Sequence, residues 1–387
     1  MMSHRVPVGH RKVSNFVMKT LTALALVATI LTDAKPVPHP LTLVSRAVND
    51  SDIYANWPTY DQLPLHPSFP TKAAWGVWGA SDELGSLNHI RNVTILAAKS
   101  DIQLGRTFNL NLELSMPNPP LNTNRRPLIH AIQPLAGYQD DVITLNTQIS
   151  TQFDGLRHFP YSTNASQDTY QFYNDLITFD DIMAPSGSST LGIQNAAQKG
   201  IAGRGILLDW AGWMESKNAS FDVFNATNIS AVELDAVATW QGLDPATFSK
   251  PGDFLVVRTG FTKQYLALSS HDQAIVPYRE GADAQFLGME ASDAMLRWLW
   301  DKKLSLVGSD NPAFESLPSD ASIIDGVPRS LHQVFIGGWG LNIVEFLDLE
   351  KLTAACHELN RYSFFFTIQN LNVVGGIASP PNAMAIL

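Results

Sequence analysis

Short apolar runs closed by turn residues recur in the second half of the chain. Gly205-Ile-Leu-Leu-Asp209, Asp253-Phe-Leu-Val-Val-Arg258 and Leu304-Ser-Leu-Val-Gly308 predict buried strands, and Phe364-Phe-Phe-Thr-Ile-Gln-Asn-Leu371 predicts another. Between them lie stretches with helical signals. Ser230 and Glu233 form a capping box, in which hydroxyl and carboxylate satisfy orphan amides, opening a helix to about Trp240. Ser292 to Asp301 places Met295, Trp298 and Leu299 on one helical face, and Leu349 to Leu359 reads as a further helix. Strands interleaved with helices predict an α/β (α+β) domain.

The first residues follow a different pattern. Arg5, Arg11, Lys12 and Lys19 precede the uncharged apolar run Leu21–Leu31, and Thr32-Asp33-Ala34 supplies small residues suited to cleavage after Ala34. Residues 1–34 are therefore expected to be a signal peptide, with Met18 as an alternative start. The run is shorter than the roughly 20 residues that a membrane-spanning helix needs, so no stable span is expected after cleavage. The proline-rich 35–56 reads as a linker and 57–387 as one catalytic domain. N-x-S/T sequons at Asn49, Asn92, Asn164, Asn218, Asn225 and Asn228 fit a secreted, glycosylated protein.

Composition narrows the chemistry. With 387 residues, 45% apolar and 16% charged, the chain has enough material for a large core. A net charge of -10 argues against nucleic acid as a partner. Cys356, the single cysteine, excludes an internal disulfide and any zinc site needing two thiolates. Its place beside His357 in an apolar helical setting reads as a buried inert thiol. No G-x-S-x-G, H-E-x-x-H or G-x-x-x-x-G-K-[ST] motif is present.

Residues 145–159 carry the densest set of chemical groups: Gln148, Ser150, Thr151, Gln152, Asp154, Arg157 and His158. Taken singly they have ordinary readings. Gln148 and Gln152 alternate with Ile149 and Phe153 as on a half-buried strand, Asp154-Gly155 is a common turn pair, and His158 beside Arg157 fits a solvated pair. The stretch nevertheless resembles the signature H-x-G-T-H-x-D-x-P-x-H of the metal-dependent cyclase/hydrolase family that includes bacterial kynurenine formamidase and isatin hydrolase. Thr151, Asp154 and His158 match; the two metal-binding histidines fall on Gln148 and Gln152, the glycine on Ser150 and the proline on Leu156. Further patches follow in order. Trp78-Gly79-Ala-Ser-Asp82-Glu83-Leu84-Gly85-Ser-Leu-Asn88 is similar to the family's opening W-G-x-x-D-E-x-G-x-x-N. Val307-Gly308-Ser-Asp310 resembles its late strand, His332 and Glu345 its second ligand pair, and Gly375-Gly376-Ile-Ala-Ser379-Pro380 its final turn.

The resemblance implies a kynurenine formamidase-like swivelling β/β/α fold and a divalent metal (Mn or Zn, with Mg as a further choice) at Gln148, Gln152, Asp154, His332 and Glu345. It also implies hydrolysis of a cyclic or aryl amide, lactam or lactone, or the reverse ring closure. His158 and Asp154 would be catalytic, His158 as acid/base near the metal-bound water. His130 and Arg157 are expected at the substrate, a small molecule, and Tyr161 in packing; the family also suggests a homodimer or larger homo-oligomer. Glutamine offers only a neutral amide oxygen, so oxygen-preferring cations are favoured over zinc. Two alternatives stay open: a metal-independent cyclase, isomerase or dehydratase, and a ligand-binding protein without turnover.

Overall fold

The four predicted strands lie side by side at the centre of a nine-stranded sheet. The computed structural model describes residues 51–163, 168–184, 187–318, 323–324 and 327–387. Its sheet comprises β1 (Thr107–Asn109), β2 (Gln152–Asp154), β3 (Ile201–Asp209), β4 (Phe254–Arg258), β5 (Leu306–Ser309), β6 (Asn342–Glu345), β7 (Ser363–Gln369), β8 (Ala378–Ser379) and β9 (Asn382–Ile386), in the order β1-β9-β7-β3-β4-β5-β6-β2-β8. β3, β4, β5 and β6 are parallel, and the flanking pairs on both sides are antiparallel.

Parallel strands covered on both faces read as continuous apolar sequence, because every side chain enters one core or the other. Ile206, Leu208, Leu255, Val257, Val307 and Ile343 join one core, whereas Leu207, Phe254, Val256, Leu306 and Val344 join the opposite one. The first core is closed by α1 (Ala231–Trp240) and α2 (Asp293–Lys302), the second by α3 (Glu350–Leu359). Ser230 Oγ accepts the Glu233 amide while the Glu233 carboxylate returns to the Ser230 amide, which is the expected capping box. α2 starts at the Ser292 cap and buries Met295, Leu296, Leu299 and Trp300. Trp298 lies at the edge of that face, its indole N–H held 2.7 Å from Asp235 Oδ1. Cys356 is buried in α3, and burial pushes its thiol up to about 12, so it is inert at neutral pH.

One feature falls outside the apolar pattern. The hairpin Ile129–Leu135/Tyr138–Thr144 is exposed along both strands and carries no core residue. Among the described residues no helix is long and apolar enough to cross a membrane. Asn92, Asn218, Asn225 and Asn228 are exposed. Asn49, Asn164 and the whole expected signal peptide lie outside the described residues, as does most of the expected linker.

Candidate metal and acid/base centre

Strand register sets the site. Gln152 stands opposite Glu345, and Asp154 opposite Ile343. Because side chains two apart share a face, Gln152, Asp154 and Glu345 all project to one side, and Phe153 and Val344 pack into the core behind. β2 is only three residues long. Gln148 precedes it in a turn rather than on the strand, and the stretch between is tied down by Thr151, whose Oγ1 donates to Phe346 O at 2.5 Å and accepts from Leu112 N at 2.8 Å. After β2 the chain turns at Gly155, where a Cβ would sit 2.4 Å from Ile377 O. The His158 amide closes that turn on Gly155 O, which brings the imidazole back beside Asp154. His332 enters from the N-terminal end of a π-helical segment, Gln333–Trp339.

Asp154, His158, His332 and Glu345 therefore meet. His332 Nε2 lies 3.0 Å from Glu345 Oε1 and 3.4 Å from Asp154 Oδ2, and His158 Nε2 is 4.0 Å from the same Asp154 oxygen. Ligand atoms of Asp154, His158 and His332 all lie within 4.8 Å of one another. One further member, Glu315, carries no motif in the sequence. Its Oε2 is 2.8 Å from His332 Nδ1, so that nitrogen carries the proton and Nε2 faces Asp154 and Glu345. Glu315 sits in Pro312-Ala-Phe-Glu315, a buried acid among apolar residues, which is the one signal that could have marked it.

The two glutamines differ in what they offer. Gln148 Nε2 donates to Asp154 Oδ1 at 2.7 Å, and Gln152 Nε2 donates to Glu345 Oε2. Only an N–H can face an ionised carboxylate, which fixes both amide orientations. The Gln152 oxygen accepts Arg125 Nη1 at 3.3 Å, whereas Gln148 Oε1 is buried without a partner. The Asp154 Oδ2 and Glu345 Oε1 atoms facing His332 are likewise buried without a well-formed hydrogen bond. Two unsatisfied carboxylate oxygens converging beside an imidazole, with an unpaired amide oxygen on the side chain bonded to Asp154, fit a divalent cation with oxygen and nitrogen preference. Gln152, expected as a ligand, spends its amide on Glu345 and Arg125 instead.

Charge follows this packing. Burial disfavours the His332 imidazolium, yet Glu315, Asp154 and Glu345 outweigh it and hold its pKa well above the ordinary value. Burial, with the Asp154 charge added, pushes Glu345 up to about 7 against the pull of His332 and Gln152. Burial also opposes ionisation of Asp154, but His158, His332 and Gln148 hold its pKa below the usual carboxylate range. His158 is held below the ordinary histidine value by burial, assisted by His332 and Arg125 and opposed by Asp154. It is thus a neutral base at neutral pH. His158, His332, Glu345 and Glu315 form one wall of a cavity of about 220 Å³, with Asp154 buried behind them, and its other walls include Ile149, Phe159, Phe286, Leu317 and Phe346.

Two expected substrate contacts are placed elsewhere. His130 lies on the exposed hairpin, 2.8 Å from Asp141, and does not line the cavity. Arg157 is buried with its guanidinium spent on the backbone oxygens of Thr190, Ser188 and Gly375, at 2.7 to 2.9 Å, so it fastens the last turn of the chain. Tyr161 is buried in the core, as expected of a packing residue.

Residues 58–316 match the model of the family described as "Putative cyclase". A crystal structure of a novel cyclase is similar at 27% identity, covering 81% of this chain and 99% of that one, with a TM-score of 0.67. Isatin hydrolase A from Ralstonia solanacearum is similar at 15% identity over 76% of this chain and 97% of its own, with a TM-score of 0.50, a likeness of fold. No curated protein matches the chain.

Proposed function

The chain belongs to the cyclase family, and from that premise we propose that it is a metal-dependent hydrolase of a cyclic or aryl amide, lactam or lactone. The observation that carries this reading is the convergence of Asp154 Oδ2 and Glu345 Oε1, buried and unsatisfied, on His332 Nε2, with the equally unsatisfied Gln148 Oε1 on the side chain bonded to Asp154. These four residues would hold the cation, with His158 beside them. A divalent ion bound there acts as a Lewis acid and lowers the pKa of water. The donor set contains no thiolate and is rich in oxygen, which favours Mn²⁺ or Mg²⁺ over Zn²⁺.

The protein's own groups divide the proton work. His158, neutral and open to the cavity, takes the proton from the attacking water and returns it to the departing nitrogen or oxygen. Asp154 orients His158 and favours its charged form during transfer. Glu315 keeps His332 in the tautomer whose Nε2 faces the site. The apolar walls exclude water from a flat substrate. The apolar run Leu21–Leu31 and the sequons support a secretory-pathway setting for this activity, with 1–34 removed and 57–387 as the working domain.

The test is turnover of a panel of aryl amides, lactams and lactones by protein stripped of metal and reloaded with Mn²⁺, Mg²⁺ or Zn²⁺. Asp154→Asn and His158→Ala are each expected to lose about 100-fold or more in kcat while the far-UV spectrum stays unchanged. Full activity in both variants sinks the assignment. One observation favours a metal-free reading: the two glutamine amides already donate to Asp154 and Glu345. Turnover that survives exhaustive chelation would select it.

A further inference from the structure

Arg125 lines the same cavity but takes no part in the chemistry above. It is half-buried, and its Nη1 donates to Gln148 O at 2.6 Å and to Gln152 Oε1 at 3.3 Å. Those two bonds hold the guanidinium in place. Among the described residues nothing accepts from its Nε or Nη2, so one edge of the fork keeps its donors free. The carboxylates of the centre are, by contrast, each engaged through one oxygen: Asp154 with Gln148, Glu345 with Gln152, and Glu315 with His332. An anchored guanidinium with one free edge matches the two oxygens of a carboxylate, a fit that an ammonium does not reproduce. The cavity beside it is walled by Phe159, Phe286 and Phe346, which suit a flat apolar body.

We propose that Arg125 forms a carboxylate subsite, and that the ligand is an aryl body carrying a carboxylate seated on its free edge. Two sources supply that group: a carboxylate already on the substrate, or the one released when an amide, lactam or lactone is opened. Only the second rests on the hydrolase reading above.

Binding of benzoate, with benzamide as its neutral counterpart, tests the subsite by calorimetry or ligand-observed NMR on the full chain, without any need for turnover. Wild type should bind benzoate more tightly than benzamide. Arg125→Gln should lose at least tenfold for benzoate and stay within twofold for benzamide, and Arg125→Lys should recover only part of the loss. Mn²⁺ affinity, measured alongside, should stay within threefold in both variants, which separates loss of the subsite from collapse of the centre. Benzoate that fails to bind wild type, or binds Arg125→Gln within twofold of it, overturns the proposal. With any substrate that is turned over, a KM raised in Arg125→Gln only for acid-bearing substrates assigns the group to the substrate. Product inhibition by the released acid that disappears in Arg125→Gln assigns it to the product. Because benzoate binding is read directly, an absence of turnover leaves this test intact.

Discussion

His89 shows what burial does to a single titratable side chain. It is packed against Trp57 and Trp78, with ring centroids 4.9 and 4.8 Å away, and burial, aided by Lys303 and Arg91, pushes its pKa down to about 3. The unfolded chain takes up this proton near pH 6.5 and the folded chain does not. The stabilising contribution is therefore complete above pH 6.5 and is lost as pH falls toward 3, by about 5 kcal/mol over the window. Chemical denaturation at pH 7 and pH 4 should show this loss in wild type, and His89→Gln should flatten it; an unchanged slope in the variant would remove His89 as its source. At the same scale, the sequence marked candidate side chains but not how each is spent. Asp154, His158, His332 and Glu345, candidates through the resemblance, lie together in the structure. The contrast between Gln148 and Gln152 was not legible, since it depends on which amide faces Arg125, a residue distant in sequence. Glu315 was missed because a lone acid carries no spacing, and Arg157 misled because its partners are backbone oxygens that sequence does not display.

At the scale of elements, legibility followed burial. β3, β4 and β5 were readable because both their faces enter a core, α1 because its cap is side-chain chemistry, and α2 because its apolar residues recur on one face. β2 was not legible as a three-residue strand: it presents Gln152 and Asp154 to the site and only Phe153 to the core, a pattern too short to have a period. That division makes a contrast testable. Phe153→Ala opens a cavity behind β2 and should cost about 3–5 kcal/mol by denaturant unfolding. The double change Ile132→Lys with Ile143→Lys, on the exposed hairpin, should cost less than about 1 kcal/mol, since neither side chain enters a core. A large loss from the hairpin pair would mean that something covers it in solution.

Across the whole molecule, the centre joins stretches far apart in sequence: the Gln148–His158 segment, His332 ahead of the π-helical turn, and Glu345 at the end of β6. A cation held between Asp154 and Glu345 would therefore couple β2 to β6 and both to His332, and it would bind only when the sheet is closed. Ligands that bind the native state alone stabilise it by RT ln(1 + [L]/Kd), about 2.7 kcal/mol at a hundredfold excess over Kd. Melting should accordingly rise with Mn²⁺ concentration and fall back with EDTA, and Asp154→Asn should abolish the rise. Gln148→Leu, which removes the unpaired amide oxygen, should shrink it, whereas Gln152→Leu should leave most of it, because that oxygen already faces Arg125. Equal losses from the two leucine variants would mean that the glutamines act alike on the cation. A melting temperature indifferent to Mn²⁺, Mg²⁺, Zn²⁺ and EDTA would mean that the amide-to-carboxylate bonds and the His332 proton already satisfy the centre, and the metal-free acid/base reading would then stand in place of the metal-dependent one.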